Sequence, residues 1–229
     1  MRRWRLAEKA FFENPGLYRA KRFIIETVIW KWILSGTLGL EPHAMPDVSD
    51  LVCGKRILIA ACGPGDVSTG PSLDAAAHVT AFDISPEFVE ACRKNRPDWT
   101  VSVADVANLP YGEGEFDVAV IYSSLHHIPI AAEAVIRELA RVTRGHVLLV
   151  EGVVPERGLL RRALLTWYAL VDGGVHYYTR RELKGAFEKL GLAVERLSQH
   201  GPIEHMMLTI LRTPAGGAEA RPIGGAAAA

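Results

Sequence analysis

The stretch Arg56-Ile57-Leu58-Ile59-Ala60-Ala61-Cys62-Gly63-Pro64-Gly65-Asp66-Val67 decides the fold. Ile57 to Ala61 carry branched or small apolar side chains that can be buried on both faces, as a central parallel strand requires, and Cys62 extends the run. Gly63, Pro64 and Gly65 break it, and Asp66 opens a segment with helical spacing. A strand, a glycine turn and a helix N-terminus together let backbone approach a nucleotide closely. Gly-x-Gly after a strand is also an ordinary tight turn, and the later strands decide between the two readings.

Downstream, His78 to Asp83 reads as a second strand ending in an acid, roughly 20 residues after the glycines, where a nucleotide-binding βαβ unit places its ribose carboxylate. Thr100 to Val103 is a third strand and leads to Ala104-Asp105-Val106. Phe116 to Ile121 is a fourth, succeeded by Tyr122-Ser123-Ser124-Leu125-His126-His127-Ile128. Ser85 caps the next helix with Pro86 at its first position. Ala131 to Val142 is helical, Gly145 to Glu151 is a fifth strand, and Thr179 with Glu182 forms a capping box for a helix to Leu190. Leu192 to Leu197 and His205 to Leu211 complete the sheet as a hairpin-like pair.

The ordered set ILIAACGPGD, VTAFDISPEFVE and VSVADVANLPYGEGEFDVAVIYSSLHHI resembles the class I S-adenosylmethionine-dependent methyltransferases, the small-molecule branch in particular, over residues 50 to 212. The resemblance implies a Rossmann-like α/β domain with a seven-stranded, mostly parallel sheet whose last strand is antiparallel. It implies a donor loop over Ala61, Cys62, Gly63 and Gly65, with Asp83 accepting from both ribose hydroxyls and Ile84 covering an adenine face. Asp105 would accept from the adenine amino group, Val106 would offer its backbone N–H to the ring, and Tyr122 and Ser123 would flank the transferring methyl. Two positions depart from the family pattern: Ile59 stands where an acid usually orients the donor's amino group, and Ala61 stands where the first glycine is usual. Ala61 is a mild change at negative φ and a costly one at positive φ. Asp105 could instead cap the following turn, and Asp66 reads more simply as a helix N-terminal charge than as a ligand.

Outside this core, residues 1–50 are expected to form a helical lid. Phe23 to Leu40 carries an apolar helical stripe with Trp30 and Trp32, interrupted by Glu26 and Lys31, which does not suit a spanning helix. Gly70 and Pro71 should break the helix Asp66–Ala77, with Ser72 capping a second piece. Val153 to Tyr178 is an insertion after the fifth strand that would contribute acceptor contacts, and residues 213–229, rich in Ala and Gly, are expected to be a disordered tail.

Methyl transfer from a sulfonium needs alignment, exclusion of water and, for a protonated acceptor, a base. His126, His127 and His176 are the candidates, with Tyr177 and Tyr178 beside them. His127 reads as a structural histidine, and His126 is preferred to His176 because a strand end holds geometry better than a loop. Arg161 and Arg162 could clamp an acidic acceptor, although a solvated helix face explains them as well.

Lys plus Arg (26) equals Asp plus Glu (26), so no global field favours nucleic acid or an anionic membrane, and no stable membrane insertion is expected. Cys53, Cys62 and Cys92 have no metal spacing, fit a reducing compartment, and read as small buried hydrophobes. The expectation is a cytoplasmic enzyme without a metal, using S-adenosyl-L-methionine to methylate oxygen or nitrogen of a small molecule; a homodimer is left open. The alternatives are a nicotinamide-dependent oxidoreductase, which Ser68 at the third glycine position disfavours, and a donor-binding module without catalysis.

Overall fold

The computed structural model describes residues 48–65, 73, 75–171, 174–200 and 206–213. The expected stripe over Phe23–Leu40, the expected break at Gly70-Pro71 and the cap at Ser72 lie outside the described residues.

The chain runs α1 (Ser49–Val52), β1 (Arg56–Ala60), β2 (His78–Asp83), α2 (Pro86–Asn95), β3 (Thr100–Val103), β4 (Phe116–Tyr122), a 3₁₀ turn (Leu125–His127) and α3 (Ala132–Val142). It continues with β5 (Thr143–Val154), α4 (Leu159–Val171), β6 (Tyr178–Thr179), α5 (Arg180–Lys189), β7 (Ala193–His200) and β8 (Met206–Arg212). The main sheet has the order β3-β2-β1-β4-β5-β8-β7. β1 to β5 are parallel, and β8 is antiparallel to both β5 and β7. The seven strands expected from the sequence are therefore all present, and β6 is a two-residue addition paired with β5.

Alternation along the strands distributes side chains between two cores. Leu58, Ala60, Phe82, Ala119, Ile121, Val147 and Leu149 face one side, beneath Val135, Ile136 and Leu139 of α3 and Leu183 and Phe187 of α5. Ile57, Ile59, Val79, Ala81, Val118, Val120, Leu148 and Val150 face the other, against Val52 of α1 and Val89 and Cys92 of α2. A strand buried on both faces explains why β1 reads as an unbroken apolar run. α2 and α5 begin as their sequences dictate. Ser85 Oγ accepts from Phe88 N with Pro86 at the first helical position, and Thr179 and Glu182 form a complete capping box.

Several boundaries move. Val48 and Val52 are buried in the core on the α2 side. β5 extends to Val154, three residues past Glu151. Thr213 is buried and donates its N–H and its hydroxyl to Gly145 O, so ordered chain enters the expected tail; residues 214–229 lie outside the described set. Cys62 and Cys92 are buried as expected, but Cys53 is exposed at the end of α1.

Candidate active site

Because β1 to β5 run parallel, their C-terminal ends open on one edge, and the strand order reverses between β1 and β4. A crevice forms at such a switch point. Ser124 Oγ bridges it, donating to Tyr122 O (2.8 Å) and approaching Ala61 O (3.4 Å).

On the β1 side, Ala61, Gly63 and Gly65 all have positive φ, at 49°, 53° and 79°. A Cβ on Gly63 would point into open space, whereas one on Gly65 would lie 2.8 Å from Cys92 Sγ, so Gly65 is required by packing on α2 as well as by its φ. Asp83 ends β2 with its carboxylate buried. Its Oδ2 accepts from Gly63 N and its Oδ1 from Ser85 N, each at 2.9 Å. Burial pushes its pKa above the usual aspartate range, and hydrogen bonds from the Ser85, Gly63 and Ile84 backbone oppose that shift. Beyond it, Ile84 is 69% exposed, an apolar side chain left uncovered where the core has ended. Asp105 is exposed; its Oδ1 accepts from Ala107 N (2.9 Å), so it caps the turn after β3 with one oxygen. Val106 is buried in the core beside it.

After β4, Ser123 also takes positive φ (46°) and donates its N–H to Val150 O (2.7 Å). This reversal turns the chain into the Leu125–His127 turn, where His126 is buried. Its Nδ1 makes a short hydrogen bond to Oε1 of Glu151, a fully buried residue near the end of β5. Glu151 Oε1 also accepts from Gly152 N (2.9 Å), and Oε2 from Leu125 N (2.8 Å). With two backbone N–H groups on an acceptor carboxylate, the network assigns the His126 proton to Nδ1 and leaves Nε2 as the basic nitrogen.

The insertion after β5 closes on this histidine. His126 O accepts from Val175 N (2.8 Å) and His176 N (3.1 Å). The Tyr177 ring stacks on His126 (centroids 5.2 Å apart) and on Tyr168 (4.8 Å), while His127 lies 4.1 Å from His126. Tyr177 OH accepts from Gly174 N (2.8 Å) and donates to Tyr168 O (3.3 Å). The His176 side chain is half exposed, 3.5 Å from Glu182 and edge-on to Tyr178. Thus the structure gathers all three histidines and seats His126 on a buried carboxylate. Tyr178 is pushed up to about 12 by burial and then by Glu151, Glu133 and Glu182, so it stays protonated near neutral pH and is a poor base. Arg161 donates to Pro155 O, and Arg162 is exposed.

Comparison with known proteins agrees with this geometry. Residues 57–146 match the family described as a methyltransferase domain. Over these residues the chain is similar to class I S-adenosylmethionine-dependent methyltransferase domains. Demethylmenaquinone methyltransferase of Paenarthrobacter aurescens (strain TC1) is 31% identical over 129 residues, 54% of this chain and 49% of that protein. The 27-O-demethylrifamycin SV methyltransferase of Amycolatopsis mediterranei (strain S699) is 36% identical over 100 residues, 41% of this chain and 36% of its own. The chain thus spans about half the length, or less, of these curated relatives. In fold it is similar to the magnesium protoporphyrin IX methyltransferase of Synechocystis PCC 6803 with bound S-adenosylhomocysteine (TM-score 0.59, 18% identity, 89% of this chain and 97% of that one).

The edge from β1 to β2 presents groups that fit the donor. Open space above Gly63, a buried strand-end carboxylate at Asp83, and the uncovered Ile84 line up along the edge from β1 to β2. The two departures from the family pattern now have structural consequences. Ile59 is a core residue packed on the α2 side, so no acid enters the donor site from that position. Ala61 has the positive φ that makes an L-residue costly there. Glu151 is the residue that sequence reasoning missed. Its signal was a lone acid inside the apolar run Val147 to Val154, which a buried strand tolerates only when the charge is satisfied.

Proposed function

We propose that this chain transfers the methyl group of S-adenosylmethionine to a hydroxyl oxygen of a small molecule, with His126 as general base and Glu151 as its positioning residue. The observation that carries this reading is the buried hydrogen bond between His126 Nδ1 and Glu151, at the end of the strand beside the donor crevice. When bound, S-adenosylmethionine supplies an activated methyl on a sulfonium. Asp83 would hold the ribose hydroxyls, Ile84 would cover adenine, and Asp105 would receive the adenine amino group on its second oxygen. Val106 would offer its N–H to the ring, and Cys62 with the loop around it would carry the methionine and ribose portions. Tyr122 and Ser123 would lie beside the methyl. His126 Nε2 takes the acceptor's O–H proton as the oxygen–carbon bond forms and the carbon–sulfur bond breaks. Glu151 holds the imidazole in the required tautomer and stabilises the imidazolium.

A neutral amine would need no base, so a buried carboxylate–imidazole pair favours oxygen over nitrogen. The oxygen named in the rifamycin relative is consistent with that choice. The stacked Tyr168 and Tyr177 favour an acceptor with aromatic or extended apolar surface. His127 packs on His126 and acts as support, and His176, tied near Glu182, is the alternative base. The described part of residues 153–178 would cover the acceptor.

Formation of S-adenosylhomocysteine with a panel of phenolic and alcoholic acceptors tests the reading, and His126→Ala should abolish the turnover found. Donor binding with no turnover on any hydroxyl, amine or carbon acceptor would instead support a binding module.

A further inference from the structure

α4 is an apolar helix whose described side chains find no full burial. Leu159 is 82% exposed and Leu160 47%, Leu164 and Leu165 are only half-buried, and Ala163 faces solvent. Between Arg157 and Val171 the sequence has three arginines, Arg157, Arg161 and Arg162, and no acid. Exposed leucines beside arginines, with Glu156 before the segment and Asp172 after it, are the pattern of a helix lying in a lipid–water interface. The neighbouring helix adds to the same field. Val154 of β5 pairs with Thr179 of β6, so the chain leaves one edge toward the start of α4 and, from the neighbouring strand, enters α5 directly. Arg180 and Arg181 are exposed there. Against these five arginines the sequence sets Glu156, Asp172 and Glu182, and Glu182 is engaged in the capping box with Thr179.

We propose that the N-terminal half of α4, with Arg180 and Arg181 of α5, docks the protein peripherally on an anionic lipid surface, Leu159 and Leu160 entering the acyl boundary while the arginines meet lipid phosphates. Charge selects this occupant. A second copy packed face to face would bring the same arginines together, whereas an anionic leaflet attracts each of them. The helix is about 20 Å long at its 1.5 Å rise per residue, and Tyr168 near its far end stacks on Tyr177 over His126. It therefore connects the lipid-facing surface to the catalytic histidine. Docking does not depend on the methyl-transfer reading, since it rests on α4 and α5 alone.

Co-sedimentation of the full chain with phosphatidylcholine vesicles, with and without phosphatidylglycerol, tests the proposal. Binding is expected only with phosphatidylglycerol and should weaken at high salt. Leu159→Ser/Leu160→Ser should lose it, and Arg157→Glu/Arg162→Glu should weaken it roughly tenfold or more, at about fivefold per arginine contact. Thermal melting and S-adenosylhomocysteine binding verify that each variant is folded. Absence of binding, equal binding to both vesicle types, or binding unchanged in both variants would overturn the proposal. So would self-association that disappears with the leucine substitutions, which would give this face to a second copy.

Discussion

Ala61 sits at φ 49°, a left-handed backbone that costs an L-residue about 1–2 kcal/mol and glycine almost nothing. Ala61→Gly should therefore stabilise the fold by about 0.5–1 kcal/mol after the greater unfolded-state freedom of glycine is subtracted. The check is a higher urea midpoint at unchanged slope. Asp83 carries a different strain. Burial raises its pKa, so at neutral pH the ionised carboxylate works against folding; this cost is relieved as pH falls through its folded pKa. The same protonation would remove the negative acceptor from the proposed ribose site. Donor affinity should accordingly fall on acidification with a midpoint above that of an ordinary aspartate, and calorimetric titrations of S-adenosylhomocysteine across mild acid measure it. Asp83 could be recognised in the sequence because its place depends on one strand and one turn. Glu151 could not be assigned a role, because its partner His126 lies 25 residues away and meets it only through the pairing of β4 with β5.

At the scale of elements, the ends of β4 and β5 hold His126, the proposed base, and its partner Glu151, and Tyr177 and Tyr168 stack in turn on His126. Removing a general base costs roughly 10²–10⁴-fold in turnover. His126→Ala should fall in that range with donor binding intact, while His127→Ala and His176→Ala should lose less than about tenfold. Glu151→Gln should lower turnover and alter the pH profile, and combined with His126→Ala it should add little, as groups acting as a unit do. A larger loss in His176→Ala than in His126→Ala would move the base to the insertion. The β4–β5 pairing itself allows a stability test: a Cβ on Gly145 would lie 2.4 Å from Asp117 O, a backbone atom that cannot move aside cheaply. Gly145→Ala should cost roughly 1–3 kcal/mol by denaturant melting. The caps at Ser85 and Thr179 were legible because each is satisfied within four residues. The closure of Val175 and His176 on His126 O was not, since a loop's docking has no periodic signature.

The molecule as a whole is a two-sided sheet with its chemistry along one edge. Strand direction came from the family resemblance, and the order of the strands from the structure, because periodicity gives strands but does not order them. The apolar run of β1 did announce burial on both faces, and the two cores account for it. Acceptor identity was not legible because it depends on residues from several separate segments, including the insertion, rather than on any one motif. Adding donor product and acceptor should slow hydrogen exchange across residues 153–178 if that segment covers the acceptor; protection confined to the loops at Gly63, Asp83 and Asp105 would remove it from the site. The central claim is that this edge binds S-adenosylmethionine through Asp83 for methyl transfer. Calorimetric binding of S-adenosylhomocysteine to the native chain and to folded Asp83→Ala tests it most directly, with NAD as the control ligand. The account predicts binding of S-adenosylhomocysteine but not NAD, weakened roughly 30- to 1,000-fold by the substitution, as loss of two charge-assisted hydrogen bonds requires. Equal affinity of the native and substituted proteins, or preference for NAD, would contradict it.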